Sequence, residues 1–540
     1  MEFNAADLFE RVAGQLPERE AVVCGETRAT YAQLDRRSNQ AAHYLRSLGV
    51  TKGDHVGIYA YNRIEWVEAM LACYKISAVP INVNYRYVEE ELFYLFNDAD
   101  FKAIFFDAEF GEGLAPLKDR LPLLQHYIAF DETDTSVSES LQSVEYESAL
   151  DKQSDEALCV ERSGDDIYVI YTGGTTGMPK GVIWRQEDVV MALGGGIDAT
   201  TQEKHTSPEE LTEKCMAEGA FAARSLQLAP LMHGAAQWGM LRGFFEGHTI
   251  IISDRRNFDA EWVWKTVSTE QANVMLITGD AMARPLLDAL EKKDYDLSSL
   301  FVLVSSAAVF STALKSRYTQ KLPNAIIMDS VGSSEGGYSG VTVHDATAET
   351  KDAGGPRLTL GRDTLVLDSE HNILADKSGE AGFLARGGNI PQGYYKDPEK
   401  TAASFVTAAN GNRYVIPGDM ARLNEDGTVT LLGRGSNCIN SGGEKIFPEE
   451  VEAAIKSHPS AYDALVVGTP DQRFGSCVTA LVQLRENSET PSLEDIHQAC
   501  ASHIGRYKMP RKVFFVEQVK RSPSGKPDYQ WAKKEAMSRI

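Results

Sequence analysis

Positive charge is scarce in this chain of 540 residues: 54 Lys and Arg stand against 77 Asp and Glu, a net charge of −23. A field of that sign repels polyanions, which excludes nucleic acid and anionic membrane surfaces as general partners. Any anionic ligand has to be gripped by a local cluster of donors. Paired cysteines are missing too. The seven (Cys24, Cys73, Cys159, Cys215, Cys438, Cys477 and Cys500) are odd in number and scattered, with no C-x-x-C. Neither a disulfide framework nor a zinc site is indicated, and a reducing, cytoplasmic setting is expected. No apolar run reaches the about 18 residues of a membrane span, and Met1-Glu2-Phe3-Asn4 has neither a basic nor an apolar leader character. These absences predict a soluble, unexported protein with no integral membrane segment. Repeats and low-complexity tracts are absent as well.

What remains is an ordinary globular composition, 43% hydrophobic, with room for two or three domains at ~150 residues each. Short β-rich runs alternate with helical patterns. Glu20–Cys24, Thr27–Ala29, His55–Ala60, Ala78–Val83 and Lys102–Phe106 read as strands, and Trp66–Ala72 as a helix. Thr30-Tyr31-Ala32-Gln33 has capping-box spacing before another helix ending near Gly49. The polar stretch from Asp131 to Asp166 is expected to be a surface connection, and 194–219 an exposed insertion. A second alternation follows at Thr249–Ile252, Val274–Ile277 and Phe301–Val304, then short strands with turn signals from Gly354 to Leu432. The expected fold is α/β: a large N-terminal domain of α/β layers with a small β-barrel-like part (1–433), and a smaller, mobile α+β C-terminal domain (434–540).

The organising stretch is Tyr171-Thr172-Gly173-Gly174-Thr175-Thr176-Gly177-Met178-Pro179-Lys180-Gly181. It follows the buried-strand pattern 166–170 and precedes a returning strand at 181–184. Glycines let backbone N–H groups approach an anion, hydroxyls donate, and Lys180 supplies a point charge, which together suit a polyphosphate. No Gly-Lys-Ser/Thr ends it, so it is not a Walker A loop. A solvated hairpin turn is the competing reading.

Five other stretches carry chemistry. His233 follows the apolar run 228–232, where a satisfied core histidine is the plain alternative. Asp329-Ser330-Val331-Gly332-Ser333-Ser334-Glu335-Gly336-Gly337 ends a strand in a turn rich in hydroxyls and carboxylates, and Glu335 suits a Mg²⁺ that neutralises phosphate. Asp419, after Pro417-Gly418, suits a ribose diol. Gly433-Arg434-Gly435-Ser436 sits at a change of composition, as a hinge would. Lys526 stands on a Ser-Gly-Lys-Pro turn near the end. A turn, a surface loop or a solvated lysine accounts for each taken singly.

In this order, these stretches resemble the adenylate-forming superfamily of acyl-CoA synthetases, non-ribosomal adenylation domains and luciferases, along essentially the whole chain. Tyr171–Gly177, Phe310, Gly332–Glu335 and Cys438-Ile439-Asn440-Ser441-Gly442-Gly443-Glu444-Lys445 are similar to the branch that activates long-chain and steroid side-chain acids. The resemblance implies ATP, Mg²⁺ and coenzyme A. Thr172, Gly173, Gly174, Thr175, Thr176, Gly177 and Lys180 would close over the β- and γ-phosphates. Ser306, Ala307, Ala308, Asp329, Ser330, Val331 and Gly332 would sandwich adenine. Glu335 would hold Mg²⁺, Ser334 would meet the α-phosphate, and Asp419 and Arg434 would take the ribose. Lys526 would bridge the reacting carboxylate and the α-phosphate. His233 would line the junction of acyl pocket and pantetheine tunnel, with Gly442 and Gly443 lining that tunnel. Two departures stand out: Ser306-Ala307-Ala308-Val309 replaces the family's Gly-Gly-Ala-Pro, and Ser436 replaces the hinge Asp or Lys.

The implied activity is acyl-CoA synthesis from a hydrophobic carboxylic acid through an acyl-adenylate. Small residues at 194–196 and 234–236 suggest a roomy acyl channel. Loading of a carrier protein, luciferase-type oxygenation, or an ATP-binding regulator without catalysis are the alternatives, and a homodimer is left open.

Overall fold

The computed structural model describes residues 2–132, 134–172, 178–198, 201–308, 310–344, 356–375, 378–441, 444–471, 475–501, 503–522 and 525–540. The chain is α/β in class and divides into two compact units. The first comprises Met1–Ile277, Tyr295–Phe301 and Asn389–Ala403; the second comprises Thr278–Asp294, Val302–Gly388 and Ser404–Ile540.

The first unit holds three sheets. One is wholly parallel, in the order Val79–Asn82, His55–Tyr59, Phe101–Phe106, His126–Ala129, Val144–Glu145. His55–Tyr59 is buried at all five positions, as expected of a strand covered on both faces. A second set runs Thr27–Thr30, Glu20–Cys24, Thr249–Ile252, Arg224–Gln227, Val274–Ile277, antiparallel only at its first pair. The third is an antiparallel trio in the order Gly393–Tyr394, Lys180–Arg185, Ile167–Thr172. Helix Ile64–Lys75 is buried over nearly its whole circumference. Its Lys75 is kept there by ion pairs to Glu10 (2.9 Å) and Asp35 (2.6 Å). The Thr30–Gln33 capping box forms as its spacing indicates.

Two expectations are refined here. The stretch 131–166 is mostly exposed or half-buried, as a surface connection is, but it carries regular structure. It contains helices Thr135–Leu141 and Tyr146–Leu150 around the edge strand Val144–Glu145, and Tyr146 is fully buried, its hydroxyl donating 2.8 Å to Glu68. The stretch 194–219 is not simply exposed. Helix Pro208–Glu213 buries Leu211, Cys215 is buried after it, and Arg11 Nε donates 2.9 Å to Thr212. A Cβ on Gly194 would stand 2.9 Å from the Val190 backbone, and one on Gly196 would stand 2.7 Å from Met191. These glycines serve close packing.

The second unit pairs Val302–Ser306 in parallel with Ile326–Ser333. The sheet then continues antiparallel through Gly337–His344, Arg357–Leu360, Val429–Arg434, Asp419–Leu423 and Ala381–Arg386. The later strands enclose a small core of Leu358, Val366, Leu374, Leu384, Ala421 and Val429. Beyond a 3₁₀ turn at Gly435–Asn437 comes the smaller α+β C-terminal part. Its long hairpin, Ala461–Asp471 with Gly475–Leu484, takes Lys512–Val516 in parallel, with helices Pro448–Ile455, Leu493–Cys500 and Tyr529–Ser538. Among the described residues no helix is long and apolar enough to cross a membrane.

Candidate functional site

In the first unit the trio of strands aims the organising stretch. Thr172, at the end of one strand, pairs with Lys180, at the start of the next. The loop between them is therefore a hairpin connection; Gly173, Gly174, Thr175, Thr176 and Gly177 lie outside the described residues. Gly181 is required by the ring of Tyr171, which a Cβ there would meet at 2.8 Å. Lys180 is not a bare cation: its ammonium is bonded to the Asp397 carboxylate, and that bond raises the lysine's pKa above its ordinary value. Any phosphate would have to compete with, or displace, that carboxylate.

His233 caps helix Gly234–Phe245 at its N-terminus, with its own N–H donating 3.0 Å to Pro230. Its placement depends on a residue that the motif reading passed over. The buried Asn82 amide donates to the carbonyls of Tyr171 (2.9 Å) and Met232 (2.7 Å), and accepts from Tyr171 N–H at 2.9 Å. One side chain thus ties the start of the phosphate-type loop to the residue before His233. The available signal was an amide ending the apolar run Val79-Pro80-Ile81, since a buried amide has to be hydrogen-bonded.

In the second unit, four residues scattered along the sequence are brought together. Asp419 and Arg434 are direct partners across antiparallel strands, with Nε 3.5 Å from Oδ1. Glu335 lies between Ser333 and Gly337, which pair in a tight hairpin. Gly332 is obligatory there, because a Cβ would reach 2.4 Å from the Gly337 carbonyl oxygen. Lys526 follows Gly525 (φ +73°) in a turn closed by Gly525 N–H to Ser522 O (2.8 Å) and Lys526 N–H to Ser522 Oγ (3.1 Å). Burial lowers the Lys526 ammonium and Arg434 pushes the same way, while Glu335 and Asp419 oppose them. Burial raises the Asp419 carboxyl, with Glu335 adding to it and Arg434 and Lys526 opposing. Asp419 and Lys526 therefore each feel the other three. Two cations and two carboxylates grouped in this way could hold a ligand carrying both hydroxyls and negative charge.

The adenine-side residues divide. Ser306 ends its strand, and Ala307 takes φ +64° while Ala308 N–H donates 2.8 Å back to Ser306 O, a γ-turn in a conformation that favours glycine. Ser330, Val331 and Gly332 are half-buried or exposed on the neighbouring strand, and Ser334 is half-buried beside Glu335. The Asp329 carboxylate is buried in an ion pair with buried Lys315 at 2.9 Å. Gly442 and Gly443 lie outside the described residues.

A single carboxylate such as Glu335 fits Mg²⁺, which keeps waters and shares ligands with phosphates. Among the described residues no group of three or more potential metal ligands occurs.

The sequence profile of AMP-binding enzymes matches residues 9–395, and that of the AMP-binding enzyme C-terminal domain matches 450–526. The chain is 48% identical to 3-oxocholest-4-en-26-oate--CoA ligase of Rhodococcus rhodochrous, over 99% of this chain and 96% of the relative. It is 47% identical to the medium/long-chain-fatty-acid--CoA/3-oxocholest-4-en-26-oate--CoA ligase of Mycobacterium marinum, over 99% and 97%. Its fold is similar to that of the anthranilate CoA ligase AuaEII in complex with anthranoyl-AMP, with a TM-score of 0.84 at 21% identity over 99% and 98% of the two chains.

Proposed function

The chain belongs to the family of AMP-binding enzymes, and on that premise we propose that it is an acid–thiol ligase joining a hydrophobic carboxylic acid to coenzyme A. The acid's carboxylate attacks the α-phosphorus of ATP, the bond to the β-phosphate breaks, and pyrophosphate leaves. The thiol of coenzyme A then attacks the acyl carbon of the mixed anhydride, and AMP leaves with the bonding pair. The observation that supports this most is the grouping of Glu335, Asp419, Arg434 and Lys526.

In the first step both reactants are anions, so the protein's work is neutralisation and in-line positioning. Lys526 supplies a positive charge where negative charge builds up. Asp419 accepts from the ribose hydroxyls, and Arg434 holds Asp419 in place while donating. Glu335 would hold Mg²⁺, which when bound neutralises phosphate charge. Thr172, Lys180 and the glycines between them take the outer phosphates, Lys180 exchanging Asp397 for phosphate. The chain beyond 435–437 then rotates to free the α-phosphate side for the thiol, with His233, Gly442 and Gly443 on the thiol's route.

The substrate we infer is a long-chain fatty acid or a steroid side-chain acid, as the names of the relatives at 46–48% identity indicate. Each buried methylene contributes about 0.8 kcal/mol, so kcat/KM rises steeply from acetate to long-chain and polycyclic acids. The test is pyrophosphate release with and without coenzyme A across acetate, palmitate and a 3-oxo-sterol side-chain acid. ADP as product, or acetate turned over as well as the large acids, overturns the reading. A carrier-protein loader would release pyrophosphate but form no acyl-CoA.

A further inference from the structure

A second set of buried charges in the second unit surrounds Asp280, at the start of helix Gly279–Lys292. Its Oδ1 accepts from Ser311 N–H at 2.7 Å; its Oδ2 accepts from Lys456 Nζ at 3.0 Å and Arg284 Nη2 at 3.4 Å. The Asp280 and Lys456 side chains are each 4% exposed. Lys456 ends helix Pro448–Ile455, beyond the 435–437 turn. The next strand brings Asp463, paired with Arg521 at 2.7 and 2.8 Å, and Arg521 donates 3.2 Å to the carbonyl of Gly525. Gly525 itself rests on the same stretch as Asp280: a Cβ there would lie 2.9 Å from Ala281 Cβ and 3.3 Å from Thr278 Cγ2. The stretch Thr278–Ala281 is therefore both the seat of the Lys526 turn and the anchor of Lys456.

A buried ion pair contributes little net stability against an apolar pair, but breaking one side of it is costly, so it enforces one arrangement over others. We propose that Asp280 and Lys456 are positioning residues. Their ion pair latches the chain beyond 435–437 with Lys526 beside Glu335, Asp419 and Arg434, and it opens before thioester formation. The latch rests on the two-step reading above. Neither residue meets a reacting atom: they act through the position of Lys526. The other Asp280 oxygen holds Ser311, which follows the adenine-side turn, so the same carboxylate ties the latch to the nucleotide wall.

The experiment is single-turnover kinetics of each half-reaction on the full chain, with Lys526→Ala as reference. Lys456→Met leaves Asp280 with Arg284 and Ser311. It is expected to slow adenylation at least about tenfold while thioester formation from supplied acyl-adenylate stays within about twofold of the parent or rises. Lys456→Arg keeps the ion pair and recovers most of the adenylation rate. Equal losses in both steps, no loss in adenylation, or an arginine variant no better than methionine overturns the latch. If Lys526→Ala also depresses both steps equally, the two-step reading itself fails; if it separates them and Lys456→Met does not, only the latch fails. Because the latch has to open in every cycle, the chain must fold without it. Failure of both Lys456→Met and Lys456→Gln to fold therefore also overturns it.

Discussion

Arg434 Nε stands 3.5 Å from Asp419 Oδ1, and the two residues are register partners across neighbouring antiparallel strands. The pairing fixes the carboxylate's direction through backbone geometry as well as through charge. If Asp419 accepts from the ribose hydroxyls, its contact is made equally in ground and transition states. Asp419→Ala then raises KM for ATP about tenfold or more, the scale of a hydrogen bond to a charged group, with a smaller change in kcat. The check is 2′-deoxy-ATP and 3′-deoxy-ATP. The parent loses affinity for at least one of them, and Asp419→Ala treats it like ATP. A variant that still discriminates fully would place the ribose elsewhere.

Lys526 should matter to one half-reaction only. Its cation is needed while charge accumulates on the α-phosphate, and losing one such group costs about 2.7–4 kcal/mol of barrier, at least about 100-fold in rate. Lys526→Ala therefore cripples adenylation and spares thioester formation from supplied acyl-adenylate. Ser436→Pro does the reverse, because proline restricts the backbone change in the 435–437 turn. Burial lowers the Lys526 pKa, and the protonated form is the working one. Adenylation is therefore full below that lowered pKa and falls as pH rises through it, earlier than an ordinary lysine would allow. Lys526→Arg moves the fall to higher pH; an unchanged alkaline limb would assign it to another group.

Ala307 sits at φ +64°, which costs an L-residue about 1–2 kcal/mol. Replacing it by glycine relieves that cost but adds about 0.4–1 kcal/mol of unfolded-state entropy. Ala307→Gly is thus expected to stabilise the protein by about 0.5–1 kcal/mol, read as a higher urea midpoint. A lower midpoint would mean that the methyl group has a packing role outweighing the strain.

Much of this was legible in the sequence because strand periodicity and capping are local. Glu20–Cys24, His55–Tyr59 and Thr249–Ile252 form where their β-branched runs stand, and the Thr30 box caps its helix. Burial that depends on distant partners was not legible. Tyr146 looks like one more residue of a polar stretch until Glu68 meets its hydroxyl. Gly194 and Gly196 look like spacers until the Val190–Met191 backbone closes on them. In the candidate site, Glu335 and Lys526 stand out by motif. The pairings of Lys180 with Asp397, Asp329 with Lys315 and Asp280 with Lys456 do not, because in each pair the partners lie on different elements and at least one of them belongs to no motif.

Two carboxyl groups next to the 435–437 turn give a last expectation. Burial pushes Glu449 up to about 8, and the neighbouring Glu452 charge adds to the shift; burial pushes Glu452 up to about 7 against the pull of Lys456. Glu449 Oε1 accepts from Arg434 N–H at 3.4 Å, while Glu452 Oε1 accepts from Val466 N–H at 2.9 Å. Tyr529 and Arg521 also face Glu452. Raised folded-state values mean that the native chain binds more protons than the unfolded chain between the ordinary carboxyl range and about pH 8. The stabilising contribution of this pair is therefore complete below the ordinary glutamate pKa. It is lost as pH rises through the folded values, at up to about 1.4 kcal/mol per pH unit for each proton involved. Urea unfolding of the parent between pH 5 and pH 8.5 should accordingly show a component that weakens upward. Glu449→Gln, which is neutral throughout and keeps a carbonyl for the Arg434 N–H, flattens that component. A parent whose midpoint rises over the same window, or a glutamine variant with an undiminished slope, would show that these carboxyl groups ionise normally in the folded chain.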